Sequence, residues 1–87
     1  MTYQIILSPD FEKDTKVLFK KDPALYDRFK KTVYSILENP RCGKPLRNVL
    51  KGLRRVHVGH FVLIYELDEI HRTITLLSFT HHDKAYK

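Results

Sequence analysis

The stretch Lys51-Gly52-Leu53-Arg54-Arg55-Val56-His57-Val58-Gly59-His60-Phe61-Val62-Leu63-Ile64-Tyr65 decides how the chain is read. Arg55 and His57 alternate with Val56 and Val58. A strand over Leu53–Val58 therefore sends a cation and a titratable ring to one face and two valines to the other. Gly59 breaks the run, and the apolar block Phe61–Tyr65 opens a second strand of the kind buried inside a small sheet. The two strands form a hairpin with one polar face that could grip a phosphate.

Downstream, Asp68-Glu69 is a polar break of hairpin length, and Ile70–Phe79 alternates as a last long strand. Ile70, Arg72, Ile74 and Leu76 fall on one side of it, with His71, Thr73, Thr75 and Leu77 on the other. Upstream, Arg41–Lys51 carries Gly, Pro and Asn without a period and reads as a loop, or as a loop with one short strand or turn around Pro45–Val49. Before it, Asp22-Pro23 is a cap followed by a helix-starting proline. Leu25, Phe29, Val33, Ile36 and Leu37 then follow at helical spacing until Pro40. Ser8-Pro9, with Asp10 and Glu12 in the first turn, starts an earlier helix that runs to about Phe19 or Lys20. Phe11, Leu18 and Val17 turn inward from that helix. Thr2–Leu7 reads as a first strand.

The predicted architecture is α+β: an N-terminal strand, a two-helix antiparallel hairpin, then a three-stranded antiparallel meander in one small twisted sheet. Both helices cover one face of the sheet, and the other face is left for work. Residues 1–87 make a single domain with one core.

Sixteen Lys and Arg against ten Asp and Glu give a net charge of +6, which favours an anionic partner. Cys42 is the single cysteine, so no internal disulfide or cysteine zinc site is expected, and a reducing, cytoplasmic setting fits. No stretch resembles a signal peptide or is long enough to span a bilayer, so no membrane partner is expected.

The chemistry-bearing residues are chiefly histidines: His57, His60, His71, His81 and His82. Their spacing matches no metal motif, and neither a metal nor another cofactor is expected. There is no serine elbow, no phosphate-binding glycine loop and no paired-carboxylate pattern. His71, beside a turn, reads as structural. What is left is acid/base chemistry on an anion. RNA cleavage suits such parts: the substrate supplies its own 2′-hydroxyl nucleophile, and the protein supplies a base, an acid and cations. Tyr86 is a base-stacking platform, a phenolic proton carrier, or a ring tucked against the sheet edge.

Three local patterns and the order of elements resemble the RelE/ParE toxin superfamily, and within it the YafQ-like messenger-RNA interferases. They are Lys44-Pro45-Leu46 before the sheet, Lys51 to Val58 with its short turn into His60–Tyr65, and His82 standing four residues before the terminal aromatic Tyr86. The resemblance spans nearly the whole chain. It implies a RelE-like fold and a toxin of a type II toxin–antitoxin pair that cuts mRNA in the ribosomal A site without metal. Its partners would be a RelB- or DinJ-like antitoxin, held in a hetero-oligomer, and the ribosome with its message.

Carried over by position, His82 matches a general acid and His57 a general base, while Arg55 would stabilise the phosphorane. His60 stands where the YafQ-like pattern has an acidic residue and joins the catalytic candidates. Lys44 replaces a histidine and is grouped with Lys51, Arg54, Phe61 and Tyr86 as substrate-binding. Val62 stands where many relatives carry an arginine. The ParE branch shares the fold but acts on DNA gyrase without a catalytic set. The alternatives are therefore a ParE-like gyrase inhibitor or a plain basic RNA-binding module.

Overall fold

The computed structural model describes residues 2–46 and 52–82. Lys51 and Tyr86, both expected at the substrate, lie outside them, as do Asn48 and Val49 of the loop. The elements run β1 (Gln4–Leu7), α1 (Pro9–Lys21), α2 (Pro23–Glu38), β2 (Lys44–Pro45), β3 (Leu53–Val58), β4 (Phe61–Asp68) and β5 (Thr73–His81). Among the described residues, no helix is long and apolar enough to cross a membrane.

The helix starts follow the predicted caps. The Ser8 hydroxyl oxygen accepts from the Phe11 amide at 3.1 Å, and the Asp22 carboxylate accepts from the Leu25 amide at 3.0 Å. Each cap is followed by proline, whose missing N–H is one of the orphan donors of a helix start. Asp22 alone joins the helices. The inward face of α1 differs from expectation at one position: Val17 is 57% exposed, and Thr15 is buried instead. The Thr15 hydroxyl donates to the Phe11 carbonyl at 2.8 Å, which satisfies it within the helix.

The sheet has five strands in the order β1-β5-β4-β3-β2. β1 lies parallel to β5, and the remaining pairs are antiparallel. The expected meander is β3-β4-β5; β2 adds a two-residue edge opposite Arg54 and Arg55. The last strand starts at Thr73 rather than Ile70. The Asp68 carboxylate accepts from the amides of Ile70 and His71, both at 3.1 Å, and Arg72 takes a left-handed φ of 55°. This Asx-type turn consumes the residues that periodicity assigned to the strand, and leaves Ile70 89% exposed.

A second irregularity matters more for function. Tyr65 pairs with Leu76 and Ile64 with Ser78, so Leu77 is the extra residue of a β-bulge. Ile74 and Leu76 face the core before it, and Phe79 after it. Simple alternation from Ile74 would have turned Ser78, not Phe79, inward. The Ser8 hydroxyl holds the bulge by donating to the Leu77 carbonyl at 3.1 Å.

The core lies between the helices and the inner sheet face. Phe11, Phe19 and Phe29 cluster around Phe79, with ring centroids 5.5 to 6.4 Å from it. Ile36, Leu63, Tyr65 and Ile74 complete it and are fully shielded from solvent. Neither α1 nor α2 lies on the outer face of the sheet.

Candidate functional site

Register fixes which side chains share the outer face. Val56 and Val58 pair with Leu63 and Phe61, whose side chains pack toward the helices. Arg55 and His57, the alternate positions of β3, pair with Ile64 and Val62 and therefore face outward. Lys44 lies directly across from Arg55 on the other side. Side chains directly opposite in neighbouring strands are separated by about 5 Å, so the two cations form one row.

His82 reaches the same face from the far strand. Val62 pairs with Thr80, and His82 stands two residues further along. The His82 amide donates to the His60 carbonyl at 2.8 Å, continuing the strand pairing past the end of β5. The imidazoles of His57 and His82 are 5.7 Å apart between centroids, with planes inclined by 33°. The bulge at Leu77 makes this possible, because without an extra residue there the even-numbered positions after Leu76 would have pointed at the helices.

The outer face thus brings together Lys44, Arg55, His57 and His82. It also buries Val62, which is 1% exposed although α1 and α2 lie on the other side. An apolar floor beside two imidazoles and next to a pair of cations is a place to hold an anion while a proton is given or taken.

Three expected site residues lie elsewhere. His60 sits in the β3–β4 turn with its ring 6.3 Å from that of His81. It lines a small depression with Asp22 and Arg28 on the helix side. Phe61 is stacked on Phe79 at 5.1 Å with nearly parallel rings, so it packs the core. Arg54 points to the helix side as well, and its guanidinium donates to the carbonyls of Gly43 at 2.7 Å and Arg41 at 3.0 Å. The cause is common to all three: a residue next to an outward one on a strand must face inward, and a turn residue follows neither face. His71 is held in the β4–β5 turn by Asp68, with Nδ1 2.7 Å from the carboxylate. Among the described residues, no three His, Cys, Asp or Glu side chains converge as metal ligands.

Sequence reasoning missed Tyr65 as a polar residue. It is fully buried, and its hydroxyl donates to the Pro40 carbonyl at 2.7 Å while accepting from the Gly43 amide at 3.0 Å. Burial pushes its phenol above the ordinary range. In the sequence, Tyr65 is indistinguishable from the other apolar residues of β4.

The chain is similar to known proteins in sequence and in fold. Residues 5–86 match the family model described as the ParE toxin of type II toxin–antitoxin systems, parDE. A candidate toxin RelE4 of Methanocaldococcus jannaschii is 35% identical over 86 residues, covering 98% of this chain and 92% of the relative. Among solved structures, the RelBE2 toxin–antitoxin complex of Mycobacterium tuberculosis contains a similar chain, with 26% identity and a TM-score of 0.76. That match covers 93% of this chain and 99% of the other. The Escherichia coli DinJ-YafQ toxin–antitoxin complex gives a TM-score of 0.79 at 22% identity and covers 100% of both chains, a likeness of fold.

Proposed function

The chain belongs to the ParE toxin family of type II toxin–antitoxin systems, and from the outer-face geometry, together with the likeness to a RelE-named relative, we propose that it is a ribosome-dependent endoribonuclease cutting mRNA in the A site. In this reading His57 takes the proton from the substrate 2′-hydroxyl, whose oxygen attacks the adjacent phosphorus. The bond from phosphorus to the 5′-oxygen breaks as His82 donates a proton to that leaving oxygen. The products are a 2′,3′-cyclic phosphate and a free 5′-hydroxyl. Arg55 and Lys44 offset the charge that builds on the phosphorane. The observation that carries the reading is the His57–His82 pair at 5.7 Å on the sheet face shared with Arg55. A binder of nucleic acid needs the cations but has no use for two facing imidazoles.

The partner in this reading is an antitoxin of the RelB or DinJ kind, because two of the similar solved structures are the RelBE2 and DinJ-YafQ toxin–antitoxin complexes. The net charge of +6 favours an acidic segment on that partner. The setting is the cytoplasm, where ribosomes work.

A second reading follows the ParE branch of the resemblance, to which the matching family model gives weight: a toxin that acts on DNA gyrase and cuts no RNA. Primer extension on a defined message in a purified translation system separates the two. The nuclease reading expects new 3′ ends at A-site codons that require both the ribosome and His82. No cleavage by the folded wild type, with gyrase-dependent DNA damage, would replace it with the second.

A further inference from the structure

Lys44 belongs to a strand of only two residues at the edge of the sheet. Two residues of sheet pairing are a weak tether, since an isolated short strand is marginal in water. Yet the segment that delivers Lys44 is tied down on the opposite side of the sheet by two neighbouring side chains. The Tyr65 hydroxyl bridges the Pro40 carbonyl at 2.7 Å and the Gly43 amide at 3.0 Å. Arg54, the cross-strand partner of Tyr65, donates to the Gly43 and Arg41 carbonyls at 2.7 and 3.0 Å.

The fit leaves no room at Gly43: a Cβ there would stand 2.6 Å from the Tyr65 hydroxyl and 3.0 Å from the Arg55 carbonyl. The Tyr65 hydroxyl is buried, so its two bonds have no water to compete with them. The next residue in the chain is Lys44, directly opposite Arg55.

We propose that Tyr65 and Arg54 are positioning residues: they clamp Pro40–Gly43 from the helix side and so hold Lys44 beside Arg55 on the outer face, where the two cations bind neighbouring oxygens of one RNA phosphodiester. The proposal rests on the reading of the outer face as an RNA site. Neither residue touches substrate. Their effect reaches it through the position of a single lysine, which gives the clamp a signature distinct from general support of the core.

The test uses the full chain and a short single-stranded RNA whose 2′-hydroxyls are methylated, so that it binds without being cut. Tyr65→Phe keeps the ring in the core and removes both hydrogen bonds. Affinity should fall, and the slope of log affinity against log salt should shrink by about 0.7, the loss of one phosphate contact on a single strand. Lys44→Ala should shrink it equally, and Tyr65→Phe added to Lys44→Ala should change neither affinity nor slope further. An equal loss from Tyr65→Phe in both backgrounds would overturn the clamp. Cross-strand backbone NOEs between Lys44 and Arg55 give a second, RNA-free measurement: they should weaken in Tyr65→Phe and in Arg54→Ala while those between β4 and β5 persist. Undiminished Lys44–Arg55 NOEs would also overturn it. If the wild type failed to bind or cut RNA, the NOEs would still decide the clamp.

Discussion

The ring of His57, on the first strand of the meander, and that of His82, just past the end of its last strand, have centroids 5.7 Å apart on the sheet face opposite α1 and α2. Acid/base cleavage needs one of them neutral and the other protonated, so cleavage should follow a bell-shaped pH profile. His57→Ala and His82→Ala should each lower single-turnover cleavage by roughly 10²–10⁴-fold. The double variant should lose far less than the product of the two, because groups acting as a unit are not additive. Each single variant should also abolish one limb of the bell. Retention of both limbs in His82→Ala would remove His82 from the chemistry.

Arg55 shares that face, directly across from Lys44 and two residues before His57 on the same strand. Arg55→Ala should slow cleavage by about 3 kcal/mol in transition-state terms and lower stability by less than that. Arg55→Lys should recover only part of the rate, since an ammonium cannot match a phosphate with a planar fork. Parallel cleavage assays and urea titrations measure the two effects separately. An unchanged rate in Arg55→Ala would exclude it from the site.

Gly43 is required for space rather than for backbone freedom. Gly43→Ala would force a methyl group against the Tyr65 ring and hydroxyl and against the Arg55 carbonyl. Overpacking of this kind costs about 1–3 kcal/mol. Chemical denaturation should show that loss, and Gly43→Ala combined with Tyr65→Phe should lose less than the sum, since removing the hydroxyl opens the space.

The strands that read clearly are those whose pattern is local. Arg55 and His57 share a face because of period-two alternation, which needs nothing beyond neighbouring residues. The helix caps at Ser8 and Asp22 read clearly for the same reason. The approach of His82 to His57 was not legible, because it depends on the bulge at Leu77. That bulge is held by the Ser8 hydroxyl from the far end of the chain, and no local signal in Thr75–Phe79 marks it. The resemblance groups Arg54 with the substrate-binding residues, and the structure turns it to the helix side. Its inward direction follows from strand parity, and its carbonyl partners come from a loop distant in sequence. Alternation carries β5 back to Ile70 because Ile70 and Arg72 fit it, while the Asp68 turn that overrides it is a side-chain effect.

The double use of Ser8 gives a prediction of its own. Its oxygen caps α1 through the Phe11 amide, and its proton satisfies the bulged Leu77 carbonyl. Ser8→Ala should cost about 1 kcal/mol for the cap, with a further loss for the unsatisfied carbonyl. Ser8→Asp keeps the cap but cannot donate to Leu77 when ionised. It should recover the helix without recovering the bulge, and the distance between His57 and His82, followed by ring NOEs, should change in both variants. Unaltered ring contacts would show that the bulge holds without Ser8.

Away from the site, the β4–β5 turn sets a pH dependence whose sign can be worked out. Asp68 accepts from His71 Nδ1 and from the amides of Ile70 and His71. The His71 side chain first, and then the backbone amides, hold its carboxyl below the ordinary value. A carboxyl depressed in the folded state favours folding when it is ionised. Its contribution is therefore complete above the unfolded value of about 3.9 and is lost as pH falls through the lower folded value. Asp68→Asn should reduce stability at neutral pH and lessen the stability lost on acidification. The group is open to solvent, so the difference should be small and should shrink in high salt. Urea midpoints of the wild type and Asp68→Asn, taken at neutral pH and again in acid below the folded value, should converge. A gap that stayed constant down to the lowest pH would show that Asp68 acts through the shape of the turn and not through its charge.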